Sequence, residues 1–187
     1  MSYKFDIKHM EKLNSPKRRA LMPPEKTLYE LGLLKSDTVA DIGCGIGYFS
    51  IPAAEIAKEN TVYALDPSQE MLDYLAANSN SPNLKLVKTD EYDFKIEGSS
   101  IDFALMANVF HEIDDKPRFM EDIKRILKDH GRLAIIEFQK KETKMGPDIA
   151  HRISPGELTE LLGQQFILDR LMDIGNVFYG AVFLFNK

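Results

Sequence analysis

Three glycines, Gly43, Gly45 and Gly47, fall within the stretch VADIGCGIGY at residues 39–48, directly after a short apolar run. Glycines this close together let a backbone approach a ligand, because a side chain there would fill the ligand's space. The dinucleotide-binding pattern is G-x-G-x-x-G. Here the spacing is G-x-G-x-G, and Tyr48 stands where the third dinucleotide glycine belongs. Asp41 lies just ahead of the glycines, where its charge repels a pyrophosphate and suits a ligand with positive charge, an amino group or a sulfonium. Asp66 ends the next apolar run. A carboxylate at that point accepts both hydroxyls of an adenosine ribose. Loop and acid together predict an adenosine-containing cofactor.

Short apolar runs alternate with amphipathic ones along the chain. Strands are predicted over 38–43, 61–66, 84–90, 101–108 and 132–138. Helices are predicted over 48–59, with Pro52 in the first turn, over 67–79, with Ser68 as N-cap, and over 116–131, closed by Gly131. Such alternation builds an α/β fold, a mostly parallel sheet with helices on both faces. After residue 138 come a polar connector, a short helix starting at Ser154-Pro155, and two strands too close together for a parallel crossover. The sheet is therefore expected to be Rossmann-like and seven-stranded, with an antiparallel strand at its C-terminal end. One domain is expected, with a cofactor-binding core at 35–140 and the connector, helix and closing hairpin at 141–187. Residues 1–34 are helix-rich and cut by prolines at 16, 23 and 24. They form either an edge helix covering the sheet or a lid over the ligand.

The chain has 187 residues, 44% of them hydrophobic, and a net charge of −5. An acidic balance argues against nucleic acid as a partner. Cys44 is the only cysteine, which rules out an internal disulfide and a cysteine-based metal site. The opening MSYKFDIKHMEK has no apolar core of a signal peptide. No run approaches the ~18 apolar residues of a membrane span, so the expected location is cytoplasmic.

The segments VADIGCGIGYFS, YALDPSQEMLDYL, KTDEYDF, IDFALMANVFHEIDD and IKRILKDHGRLAIIEF resemble, in order, the motifs of class I S-adenosylmethionine-dependent methyltransferases. The likeness covers roughly residues 35–140, and the stretch is similar to the ubiquinone/menaquinone-biosynthesis group. Lys128-Asp129-His130-Gly131 departs from that group, where a Lys-Pro-Gly-Gly turn is usual. The resemblance implies S-adenosylmethionine as cofactor. Gly43, Gly45 and Gly47, with Cys44 among them, would meet its methionine portion, and Asp41 would favour the ammonium. Asp66, followed by Pro67, would hold the ribose. Asp90 would accept from the adenine amino group with the Glu91 backbone beside it, and Met71 would pack on the ring. Asn108 would face the methionine carboxylate side or the transferred methyl. Plainer roles stand beside these: a turn residue at Asp66, a solvated acid at Asp90, a strand-end cap at Asn108 and a small filler at Cys44.

Methyl transfer from a sulfonium needs a base only when the acceptor must lose a proton. Candidates are His111 and Glu112 after the fourth strand, then His151 with Arg152 in the connector, and last His9. His111 is the expected catalytic residue, since histidine titrates near neutral pH. The sequence ANVF at 107–110 lacks the prolines of the amino-methylating DNA enzymes, and no carboxylate cluster for a metal is evident. A small organic acceptor is expected. Two rival readings are a non-catalytic S-adenosylmethionine-binding scaffold and an NAD(P)-dependent oxidoreductase. The glycine spacing and the lack of a Tyr-x-x-x-Lys pair count against the second.

Overall fold

The computed structural model describes residues 13–187; His9 and the rest of residues 1–12 lie outside them. The strands are β1 (Val39–Ile42), β2 (Val62–Asp66), β3 (Leu84–Lys88), β4 (Ile101–Ala107), β5 (Leu127–Phe138), β6 (Phe166–Ile174) and β7 (Phe178–Phe185). They form one sheet in the order β3-β2-β1-β4-β5-β7-β6. β7 pairs antiparallel with both β5 and β6, and the other pairings are parallel. The chain runs outward from β1 through β2 to β3, then returns to β4 on the other side of β1. That reversal puts a crevice at the carboxyl ends of β1 and β4, the place where open parallel sheets bind ligands.

The described residues include six α-helices: α1 (Pro16–Leu21), α2 (Pro24–Glu30), α3 (Ser50–Ile56), α4 (Gln69–Asn78), α5 (Lys116–Ile126) and α6 (Pro155–Leu162). Alternate strand residues face opposite layers. Ala40, Ile42, Ala104, Met106, Leu133 and Ile135 pack with Phe119, Ile123 and Ile126 of α5 and with Leu158 and Leu162 of α6. Val39, Phe103, Leu105, Ala134 and Ile136 pack with Leu28 of α2 and with Ala53, Ala54 and Ile56 of α3. Start signals act where they were expected. The Ser68 hydroxyl accepts from the Met71 N–H at the start of α4, and Ser154 and Glu157 form a capping box on α6.

The predicted helix over 116–131 is too long. α5 ends at Ile126, and Leu127 already has extended backbone (φ −68°, ψ 139°). Leu127 pairs with Ile101, but the next matched pair is Arg132 with Phe103. Residues 128–131 therefore bulge from β5, with His130 in the left-handed region at φ 61°. Gly131 does not close a helix. A Cβ there would stand 2.9 Å from the Lys128 carbonyl oxygen and 3.2 Å from that of Ile101.

Of residues 1–34, the structure describes 13–34. α2 buries Pro24, Thr27 and Leu28 against the sheet and behaves as a covering helix. α1 buries nothing. Just before it, Leu13 Cδ1 lies 3.8 Å from where a Cβ on Gly45 would be, so this segment lies over the glycine loop.

Candidate active site

The loop after β1 turns sharply. Gly43, Gly45 and Gly47 all have positive φ, at 72°, 53° and 82°, which a side chain makes costly. Two of the three are also required by packing within the protein. A Cβ on Gly43 would meet Val109 Cγ2 at 2.5 Å, and one on Gly47 would meet Leu75 Cδ1 at 2.3 Å. Gly45 alone faces open space apart from Leu13. The expectation that all three clear room for a ligand is thus narrowed: Gly43 and Gly47 let Val109, just after β4, and Leu75 of α4 close onto the loop, and only Gly45 keeps open space beside it. Cys44 is buried, with its N–H on the Leu65 carbonyl. Burial and the charges of Asp41 and Asp66 raise its thiol pKa, as suits a filler and not a nucleophile.

Asp66 is 8% exposed at the end of β2. One carboxylate oxygen accepts the Gly45 N–H at 2.8 Å and the other the Ser68 N–H at 2.9 Å. Each oxygen keeps a lone pair free for a hydroxyl. Burial raises its pKa, and the two N–H groups work against that rise. Pro67 beside it is exposed, and Met71 is buried in the first turn of α4.

Asp41 is 2% exposed within β1. Burial pushes its pKa to about 7; the Ser50 hydroxyl and the Arg18 charge oppose the rise, and Asp66 adds to it. Ser50 Oγ donates to it at 2.5 Å. Asn108 follows β4 with a left-handed backbone, φ 59°. Its N–H donates to the Ile136 carbonyl at 2.8 Å, while its side-chain Oδ1 is buried without any partner. A buried acceptor left unmade costs about 1–3 kcal/mol, so this oxygen is placed for a donor that arrives with a ligand. Asp90 is turned outward, and its carboxylate pairs with Lys95 Nζ at 2.7 Å. An adenine amino group would have to compete with that lysine. Glu91 is exposed next to it.

On the far side of β4, His111 lies in a 3-10 turn at Phe110–Glu112. Its Nδ1 is 2.7 Å from Glu137 Oε2, and its backbone N–H donates to Oε1 of the same carboxylate at 3.1 Å. A carboxylate only accepts, so Nδ1 carries the hydrogen and Nε2 keeps the lone pair of the neutral ring. Burial acts to lower the His111 pKa, but the hydrogen bond and charge of Glu137 outweigh it and hold it above its ordinary value. Glu112 Oε1 is 3.8 Å from Nε2. Burial raises the Glu112 pKa; the charge of His111 opposes the rise, and those of Glu137 and Asp66 add to it.

Glu137, 1% exposed near the end of β5, was not among the expected site residues. Its signal was an acid inside the apolar run LAIIEF, since a buried charge needs a partner. Ser50 and Arg18 were missed as well. In the connector, His151 is exposed. Arg152 is buried and donates to the carbonyls of Pro147, Gln139, Lys141 and Met145. It holds the connector folded and is not free to meet an acceptor, which corrects that expectation. No group of three or more potential metal ligands occurs among the described residues.

Residues 40–135 match the methyltransferase domain family, and the chain belongs to it. The crystal structure of a SAM dependent methyltransferase from Aquifex aeolicus is 31% identical, with a TM-score of 0.90 over 97% of this chain and 100% of that one. The 2-phytyl-1,4-naphtoquinone methyltransferase of Trichormus variabilis is 25% identical over 114 residues, 58% of this chain and 50% of its own. The ubiquinone/menaquinone biosynthesis C-methyltransferase of Campylobacter jejuni is 26% identical over 121 residues, 60% of this chain and 49% of its own. This chain thus spans about half the length of these two curated relatives. S-adenosylmethionine is the cofactor of the fold and family. The unpartnered Asn108 oxygen, the open side of Gly45 and the free lone pairs of Asp66 fit an adenosyl amino acid.

Proposed function

We propose that the protein transfers the methyl group of S-adenosylmethionine to a small organic acceptor that carries an ionisable proton, and that His111 takes this proton. When bound, the cofactor supplies a methyl group already activated on a sulfonium, so the chain's own work is positioning, exclusion of water and proton removal. Asp66 would hold the ribose hydroxyls, and Asp41 and Asn108 would meet the ammonium. The acceptor would lie on the His111 side of the crevice and give its ionisable proton to His111 Nε2.

The observation that carries this reading is the pairing of His111 with a fully buried glutamate. Glu137 holds the imidazole through Nδ1 at 2.7 Å and the residue's backbone N–H at 3.1 Å, and leaves Nε2 as the free base. A histidine held only to cap a strand needs no such partner. Hydroxylated aromatic rings, the reduced form of the quinones named in the two curated relatives, belong to the acceptor class proposed.

The test is transfer of isotope-labelled methyl to a panel of small hydroxylated aromatics and non-ionisable analogues. Turnover should occur only with ionisable acceptors. His111→Ala should lower it by about 100-fold or more, the usual share of general base catalysis, while S-adenosylhomocysteine affinity changes by less than about threefold. Turnover that is indifferent to His111 would remove the proton-transfer role.

A further inference from the structure

Among the described residues only two buried side-chain polar atoms have no hydrogen-bond partner: the acceptor Oδ1 of Asn108 and the donor Nε of Arg18. Both belong to segments that meet the glycine loop. Arg18 is in α1, the helix following Leu13, and Leu13 lies over Gly45. Its guanidinium carbon stands 4.4 Å from the centre of the Tyr48 ring, the residue directly after Gly47. Tyr48 is itself fixed, its hydroxyl donating to the Met22 carbonyl at 2.6 Å. One guanidinium nitrogen, NH1, donates to the Leu13 carbonyl at 3.2 Å. Its charge also acts on Asp41, opposing the rise that burial gives that carboxyl.

An α-amino acid presents an ammonium and a carboxylate on adjacent atoms. A site for one needs an anion and an acceptor for the first, and a cation with a free donor for the second. Asp41 and Asn108 supply the former. Asp66 is an anion and cannot supply the latter, and burying a guanidinium against an aromatic face is costly unless its donors find partners. We propose that Arg18 binds the carboxylate of the cofactor's methionine moiety, so that α1 joins the site by a direct ion pair with the cofactor. This rests on the assignment of S-adenosylmethionine as cofactor. Seating the carboxylate against Arg18 would also account for a short helix that buries none of its own residues yet lies across the loop.

Two nucleosides separate this from a purely structural role. S-adenosylhomocysteine carries the amino-acid moiety, and 5′-methylthioadenosine lacks it. Calorimetry on the full chain should show that Arg18→Gln weakens S-adenosylhomocysteine by roughly 10- to 100-fold, the range for a hydrogen bond to a charged group. The same variant should leave 5′-methylthioadenosine within about threefold. Arg18→Lys, which keeps the charge and loses the planar fork, should fall between wild type and Arg18→Gln for S-adenosylhomocysteine alone. It carries the same comparison if the glutamine variant does not fold by circular dichroism. Equal weakening of both nucleosides, or S-adenosylhomocysteine affinity unchanged in Arg18→Gln, overturns the proposal. A wild-type protein that binds neither nucleoside contradicts the cofactor assignment itself, and the proposal falls with it.

Discussion

Asp41→Asn should stabilise the ligand-free protein and weaken its hold on the cofactor. Asp41 is enclosed within β1, and its pKa rises from 3.8 to about 7, chiefly through burial. At about 1.4 kcal/mol per pH unit, that rise corresponds to roughly 4 kcal/mol by which the ionised side chain is disfavoured in the folded protein at pH 8. The sign follows from linkage. The folded pKa lies above the unfolded value, so the favourable contribution is complete below about pH 4 and is lost as pH climbs through about 7. Asparagine has nearly the same shape and no charge. Ser50 Oγ can still donate to its carbonyl oxygen, but its NH2 lacks a partner, which returns about 1–3 kcal/mol. A net gain of about 2 kcal/mol at pH 8 is expected, or roughly 4–8 °C in Tm for a chain of this size. At pH 5.5 folded Asp41 is protonated while the unfolded side chain is ionised, so the penalty is only about 2 kcal/mol; the unpartnered NH2 of asparagine offsets it, and the net gain should fall to near zero. The assay is thermal denaturation followed by circular dichroism at both pH values. The variant should also bind S-adenosylhomocysteine roughly 10- to 100-fold more weakly at pH 8, having lost the counter-charge of the ammonium. A Tm difference that is the same at pH 5.5 and pH 8 would refute the raised pKa and the argument built on it.

Other perturbations separate the parts of the site. Asp66→Ala removes a charged acceptor from two ribose hydroxyls and should weaken S-adenosylhomocysteine about 30-fold by calorimetry, about 2 kcal/mol. It should also lower Tm, because the Gly45 and Ser68 N–H groups lose their acceptor. Burial lowers the His111 pKa, and Glu137→Gln removes the main group that opposes it, leaving only the weaker charge of Glu112 to hold the value up. The rise of kcat/KM with pH should therefore have a midpoint above 6.5 in wild type and move to lower pH in the variant, whereas a midpoint that stays put would detach His111 from that profile. Gly47→Ala places a methyl 2.3 Å from Leu75 Cδ1 at a positive φ and should cost about 2–4 kcal/mol in denaturant unfolding. Gly163→Ala, at φ 74° and ψ −173°, a region that glycine almost alone adopts, meets nothing within 4 Å and should cost about 1–3 kcal/mol from the backbone alone.

What the sequence made legible was what local pattern controls. The glycine spacing, the acids at the ends of β1 and β2, and the caps at Ser68 and Ser154 are each set within a few residues, and so were readable. The mostly parallel sheet and its antiparallel end followed from the alternation of elements and the short final hairpin, whereas the strand order did not. What was hidden depends on contacts across the chain. Glu137 is 26 residues from His111, and nothing near His111 announces its partner. The reason Gly47 must be glycine is Leu75 on another helix, and Arg152, which looks like a free cation in a polar connector, is consumed by four carbonyls. The end of α5 was misplaced because KDHG reads as a helix terminus by composition. Pairing of Leu127 with Ile101 in the sheet overrode that propensity.

The central claim is that the crevice at the ends of β1 and β4 is built for an adenosyl amino acid and not for a dinucleotide. Calorimetric titration of the purified protein with S-adenosylhomocysteine and, separately, with NAD tests it most directly. The account predicts saturable one-to-one binding of S-adenosylhomocysteine, weakened by Asp66→Ala, and no heat of binding with NAD. Binding of NAD without binding of S-adenosylhomocysteine would contradict it.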